Sequence, residues 1–213
     1  MKCVISFSFL LLLSPIYLMA QKQFGVKAGV NVGNVAEQIE FSNDNTISFI
    51  EQTYKIKANP QLGIWMDLPL TSRLSLQPEI LWTQKHFHAD DEISNPTDGY
   101  VNFHYFSLPI LAKYRIGKWR IELGPEISFL MDQSLADFNS PLREHPFIEE
   151  NEFEFAANLG LQYTFRRWIV GLRASRDVTE FLQFDFTDFN GEPFGDLKNF
   201  HQNCTLWVAY QVL

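Results

Sequence analysis

His86 and His88 stand one residue apart, with Asp90 and Asp91 just beyond them. Imidazole and carboxylate together are a donor set for zinc or another divalent metal. Two histidines on one loop do not close a coordination shell, so a polar loop is the simpler account and no metal or cofactor is expected. The stretch LQFDFTDFNGEPFGD carries Asp185, Asp188, Asn190 and Asp196, but without the spacing of a calcium loop. Its Phe184, Phe186, Phe189 and Phe194 read better as a hairpin continuing two strands outward, or as an apolar surface for a partner. Hydrolytic chemistry finds no frame, because the chain contains neither G-x-S-x-G nor H-E-x-x-H.

An ionic set offers more. Lys27, Lys85, Lys113, Arg115, Arg120 and Arg173 face Asp67, Glu79, Glu122, Glu126 and Glu154 in near balance. A set so matched can neutralise itself as a salt-bridge network, provided the fold gathers residues that lie far apart in the chain.

The elements able to gather them alternate with a period of two, the mark of a β-strand. In FGVKAGVNVG, Phe24, Val26, Ala28, Val30 and Val32 oppose Lys27 and Asn31. Leu62, Ile64, Met66 and Leu68 oppose Trp65 and Asp67. LSLQPEILWTQK sets Leu74, Leu76, Pro78, Ile80 and Trp82 against Gln77, Glu79, Leu81 and Lys85. YFSLPILAKYRIG sets Phe106, Leu108, Ile110, Ala112, Tyr114 and Ile116 against Lys113 and Arg115. WRIELGPEISFL, FEFAANLGLQYTF, WIVGLRAS and NCTLWVAYQVL repeat the pattern, which makes eight strands. PLTSR, Gly117 with Lys118, and Arg166 with Arg167 are short enough for tight hairpins. The other connections, near 35–54, 88–101, 132–151 and 176–200, are long and carry most of the Asp and Glu.

Composition narrows the setting. Lys2 precedes the apolar run ISFSFLLLL, followed by Pro15 and Ala20, the layout of a secretory signal over residues 1–20. The remainder, 21–213, suits one domain. Cys204 would then be the single thiol left, so no internal disulfide is expected. The formal charge is −8 over 213 residues, and about −9 without Lys2, which disfavours nucleic acid as a partner. Aromatic residues make up 15%, with twenty Phe, more than a hydrophilic soluble domain needs.

Charge fixes which face meets what. If the ionic face of each strand met hydrocarbon, each basic residue would cost roughly 2–4 kcal/mol near the midplane. Several would exceed a typical stability margin of about 5–15 kcal/mol. The apolar face therefore meets lipid and the ionic face meets the interior. Tyr114, Trp119, Tyr163, Phe165, Trp168 and Tyr210 fall on the apolar parity beside the short turns or the last residues. Trp82, Phe129 and Phe153 fall on it toward the long loops, so two aromatic girdles are expected. A sheet edge cannot be left open in lipid, and short turns at one end with long loops at the other suit a transmembrane barrel. The fold class is thus all-β, an eight-stranded antiparallel transmembrane β-barrel. With eight strands the interior is filled by side chains, and Trp65, Leu81 and Trp207 on the inward parity add bulk, so an open pore is not expected.

FGVKAGVNVG, LSLQPEILWTQK, YFSLPILAKYRIG, IELGPEISFLM and FEFAANLGLQYTF, in this order, resemble the PorT-like family of small outer-membrane β-barrel proteins. The resemblance implies an outer-membrane barrel and, through PorT itself, an association with protein secretion. It brings no catalytic residues. Pro78, Pro109 and Pro125 inside three strands are expected to make local bulges.

The expectation is a monomeric barrel in the outer membrane of a Gram-negative-type cell, termini periplasmic. It holds outer-membrane lipid around it and offers its loops to an envelope or secretion protein. Two alternatives compete. A lipid-modifying enzyme would need Ser and His together on the lipid parity near the outer rim, where only His86 and His104 fit. The other is a soluble lipocalin-like carrier.

Overall fold

The computed structural model describes residues 22–41, 47–50, 57–89, 99–136, 148–180, 182–187 and 193–213. The expected signal segment, Asp90, Asp91, Asp188, Phe189 and Asn190 lie outside them. The described residues form eleven strands, in chain order: β1 (Gln23–Phe41), β2 (Ile47–Ile50), β3 (Lys57–Pro69), β4 (Leu74–Ala89), β5 (Gly99–Ile116), β6 (Trp119–Ala136), β7 (Ile148–Glu150), β8 (Phe153–Phe165), β9 (Trp168–Asp177), β10 (Leu182–Thr187) and β11 (Pro193–Gln211). Eight of them, β1, β3, β4, β5, β6, β8, β9 and β11, pair antiparallel with their neighbours, and β1 pairs with β11 to close the barrel. No helix among the described residues is long and apolar enough to cross a membrane.

Alternation decides which side of each strand is covered, and the cover is inverted relative to a water-soluble protein. Lys113 and Glu122 are 1% and 0% exposed, whereas Leu123, Leu159 and Leu206 are 60%, 57% and 60% exposed. A belt of bare leucine around a buried ionic interior is stable only against an apolar medium. The expected parity of all eight segments is the observed one.

The tight hairpins form where expected. In the turn before β4, Thr71 Oγ1 accepts the Arg73 and Leu74 amides at 3.3 and 2.9 Å. Gly117 and Arg166 take φ of 64° and 57° at the first position of their turns, where a type II′ hairpin needs a positive angle.

The strands exceed the expected segments at the opposite end, and the stretches expected as long loops are in part strand. The β1–β11 ladder runs from Gly25↔Gln211 to Phe41↔Gly195, roughly 54 Å along the strand at about 3.4 Å per residue. Even tilted by about 40°, that projects well past about 30 Å of hydrocarbon. Beyond the rim β2 pairs with β1, β10 with β11, and β7 with β10. Phe184 and Phe186 thus lie in β10 and Phe194 in β11, within one hairpin. Its rising arm is a separate strand rather than a continuation of β9.

The expected proline bulges are corrected. The register across β3–β4 is unbroken from Trp65↔Glu79 to Leu68↔Leu76. It is equally unbroken across β4–β5 from Pro78↔Ile110 to Leu81↔Ser107, and across β5–β6 from Pro109↔Glu126 to Ala112↔Leu123. Each proline stays paired with one neighbouring strand, and pairing lapses beside it on the other, as a missing N–H dictates. The register shift in β5–β6 lies higher, between His104 and Tyr105.

Candidate functional site

The interior is built by the inward residues of all eight long strands, and ion pairs across the lumen tie them together. Arg173 from β9 is the hub. Its Nη1 and Nη2 donate to the two Glu79 carboxylate oxygens at 2.9 Å each, and its Nε donates to Glu122 at 2.7 Å. Lys27 from β1 also reaches Glu79, at 3.1 Å, and lies 3.9 Å from the Trp207 ring centre. Gln162 donates to the second Glu122 oxygen at 3.1 Å. Gln77 donates to Glu79 and accepts from Lys113, and Lys113 pairs with Asp67 at 3.0 Å. Arg120 reaches the same Asp67 oxygen at 3.5 Å. One connected assembly thus joins β1, β3, β4, β5, β6, β8 and β9.

A second cluster sits nearer the projecting strands. Lys85 is bonded to Glu154 and, at 3.1 Å, to Asp177. His201 Nδ1 lies 3.4 Å from Glu154 and 3.2 Å from Asp177, with Phe103 and Tyr105 edge-on to its ring at 6.2 Å. Between the two groups, Glu126 accepts from Ser128 and Asn158, each at 3.1 Å. Glu154, Asp177 and His201 bring ligand atoms within 4.8 Å of one another, the composition of a divalent-metal site. The Lys85 ammonium already stands against both carboxylates, so the charge a metal would supply is present in the chain.

Of the ionic residues singled out from sequence, Lys27, Asp67, Glu79, Lys113, Arg120, Glu122 and Arg173 come together in the first group, Lys85 and Glu154 in the second, and Glu126 between them. Arg115 does not join them. It is exposed at the short-turn mouth, where its Nη2 donates to the Ser72 carbonyl at 2.6 Å. Asp177 and His201 fall outside the expected set because apolar alternation stops before it reaches them. The polar parity itself continues, from Arg173 through Ser175 to Asp177 and from Thr205 through Asn203 to His201, and following it outward leads to both.

Among the ionic groups Trp65, Ile169, Trp207 and Ala209 form an apolar cluster. Glycine makes the room: a Cβ on Gly171 would lie 2.3 Å from Trp207 Cζ2, and one on Gly25 would lie 2.7 Å from the Trp65 ring. Gly171→Ala is therefore expected to cost about 1–3 kcal/mol by overpacking, read by urea unfolding, and Gly171→Ala with Trp207→Leu should regain most of it. An unchanged midpoint in the single variant would show that the indole is not seated there.

Aromatic residues ring both ends of the apolar belt. Trp119 lies tilted against Tyr163 and Trp168 edge-on to Tyr210, with ring centres 4.9 Å apart in each pair, and Phe129 meets Phe153 at 5.1 Å. Phe165 is exposed beside its turn, and the Tyr114 hydroxyl accepts from Arg73 at 3.4 Å. Trp82 stacks on His104 at 5.6 Å. His104 pairs across the sheet with Gln84 and Asp132, neither of which offers a hydroxyl nucleophile. The backbones of His86 and His88 lie in β4 rather than on a loop.

The family model for an outer membrane protein beta-barrel domain matches residues 19–181. No curated protein matches the chain. Among solved structures, AlkL, determined by solid-state NMR in DMPC lipid bilayers, is similar at 12% identity with a TM-score of 0.52, over 90% of each chain. Neisserial surface protein A follows at 10% identity and 0.46, over 88% of this chain and 96% of that one. Outer membrane protein W of E. coli stands at 16% and 0.37, over 89% and 97%. The likeness to AlkL is one of fold.

Proposed function

The chain belongs to the outer membrane protein beta-barrel domain family, and we propose that, as a barrel of the outer membrane, it is a sealed anchor that displays its projecting strands to another envelope protein. The observation that carries this reading is the filled lumen. Arg173, Glu79, Glu122 and Lys27 are bonded across it, and the Trp207 and Trp65 rings pack beside them and Lys113. A bore so occupied by the described residues favours exclusion of solute, and buried pairs of this kind specify packing more than they add stability.

What remains to act is the part outside the membrane. The β10–β11 hairpin and the strands beside it stand on a rigid support, the usual place for recognition. The resemblance to PorT-like proteins favours a secretion component as the partner. Short turns at the end that holds both termini favour a periplasmic position for that end. The barrel acts as a monomer, without catalysis of its own.

Purified protein in planar bilayers is expected to show no steady conductance, and stepwise ion-conducting openings would sink the sealed-anchor reading. In cells, replacing 183–192 by a short turn should abolish a cross-link to a specific envelope protein while the barrel still shows heat-modifiable gel migration. Equal cross-linking in parent and variant would place recognition elsewhere.

A further inference from the structure

The short-turn end is electrically lopsided. It gathers Arg73, Arg115, Lys118, Arg120, Arg166 and Arg167 on turns and strand ends, in a chain whose formal charge is −8. Among the described residues only Asp67 offers any of them a side-chain carboxylate. It reaches Arg120 at 3.5 Å while also serving Lys113 at 3.0 Å.

Arg115 and Arg120 stand directly opposite each other across the β5–β6 hairpin. Like charges so placed destabilise a sheet, so strand pairing does not account for them. Arg73 joins from the turn before β4, and the three line a recess of about 370 Å³ together with Thr71, Ser72 and Ser75. Arg115 spends one donor on the Ser72 carbonyl, Arg73 one on the Tyr114 hydroxyl and Arg120 one on Asp67. A guanidinium carries five N–H donors, so most of them remain for a ligand.

We propose that this recess is a binding site for a phosphate-bearing small molecule, gripped by the forked donors of Arg115 and Arg120 with Arg73 beside them. Three guanidinium groups, those of Arg73, Arg115 and Arg120, stand there against the single carboxylate of Asp67, which Lys113 also engages from the interior. A phosphate brings nearly two negative charges and meets guanidinium bidentately, whereas one carboxylate would leave most of the excess standing. Asp67, Ser75 and Arg120 belong to the inward set of their strands, which turns the recess to the mouth of the bore. Arg166 and Arg167, exposed on the rim in the β8–β9 turn, do not line the recess. The source of the ligand, the periplasm, rests on the orientation proposed above; the site itself does not.

Full-length protein, refolded in a zwitterionic detergent and shown folded by its gel migration, is titrated calorimetrically with inorganic pyrophosphate at low salt. Saturable binding is expected, weakened at least about tenfold in Arg115→Gln/Arg120→Gln and less than about twofold in Arg166→Gln/Arg167→Gln. Arg115→Gln alone should also raise the urea midpoint, because it removes the like-charge pair. Absence of saturable binding, an unaffected double variant, or an equal loss in the rim variant would overturn the site. A lowered midpoint with Arg115→Gln would make that residue structural and overturn its role. The orientation is tested separately with Ser72→Cys in a Cys204→Ser background. Reaction with an impermeant maleimide on intact cells would reverse the orientation and leave the titration standing.

Discussion

Arg173→Ala is expected to lower the unfolding free energy by about 3–5 kcal/mol, the cost of breaking a buried ion pair from one side. Glu79 and Glu122 are 2% and 0% exposed, and both lose their bonds to the same guanidinium. Lys27 still reaches Glu79, but Glu122 keeps only the Gln162 amide. Against a typical margin of about 5–15 kcal/mol, this would place the variant near the threshold of folding. Urea unfolding followed by tryptophan fluorescence reads the loss directly. Replacing Glu122 by glutamine in the Arg173→Ala chain should recover a large part of it, since Lys27 still balances Glu79 and an uncharged amide costs less to leave in the interior. A single variant within about 1 kcal/mol of the parent would mean that water, not Arg173, balances those carboxylates.

The second large effect is expected on the other face. Leu123 is 60% exposed and lies between the two aromatic levels of β6, marked by Trp119 and Phe129. Leu123→Arg should cost about 2–4 kcal/mol when the barrel is unfolded from lipid vesicles, as a cation near the midplane does. The same change on the surface of a water-soluble sheet would shift stability by about 0.5 kcal/mol or less. Spin labels probe the same placement without a stability measurement. A label at Leu108 should be reached by lipid-dissolved oxygen and one at Glu126 should be shielded, and the reverse pattern would end the membrane reading.

The barrel was legible because lipid imposes the simplest rule a strand can carry. Where hydrocarbon lies outside and ions inside, every second residue must be apolar, and the chain obeys this from Phe24 to Val32 and again in each later segment. The rule stops at the headgroups. Above them β1 runs on to Phe41 and β5 starts at Gly99, through polar stretches such as NVAEQIEF that a membrane no longer sorts. Those extensions are held by ladder bonds, and ladder bonds are indifferent to side-chain polarity.

The lumen was legible as a set of residues but not as a set of bonds. Lys27 to Glu79 and Arg173 to Glu79 join strands that are not neighbours in the sheet order, so each pairing depends on the tilt and stagger of the whole barrel. Arg115 shows the limit from the other side. Its parity is that of Lys113, yet it lies one step past the sealed part and turns to the Ser72 carbonyl. Parity states which way a residue points, and only height in the barrel states what it meets there.

The seam between β1 and β11 joins residues from the two extremes of the chain, Gly25 with Gln211 and Val26 with Tyr210. Contacts so distant in sequence form late and make folding slow. A nascent chain that has not yet delivered its last strand carries two raw margins, neither of which hydrocarbon will tolerate. Biogenesis is therefore all-or-nothing: the polypeptide must be kept out of the bilayer, or its margins shielded, until the final segment arrives to zip against the first.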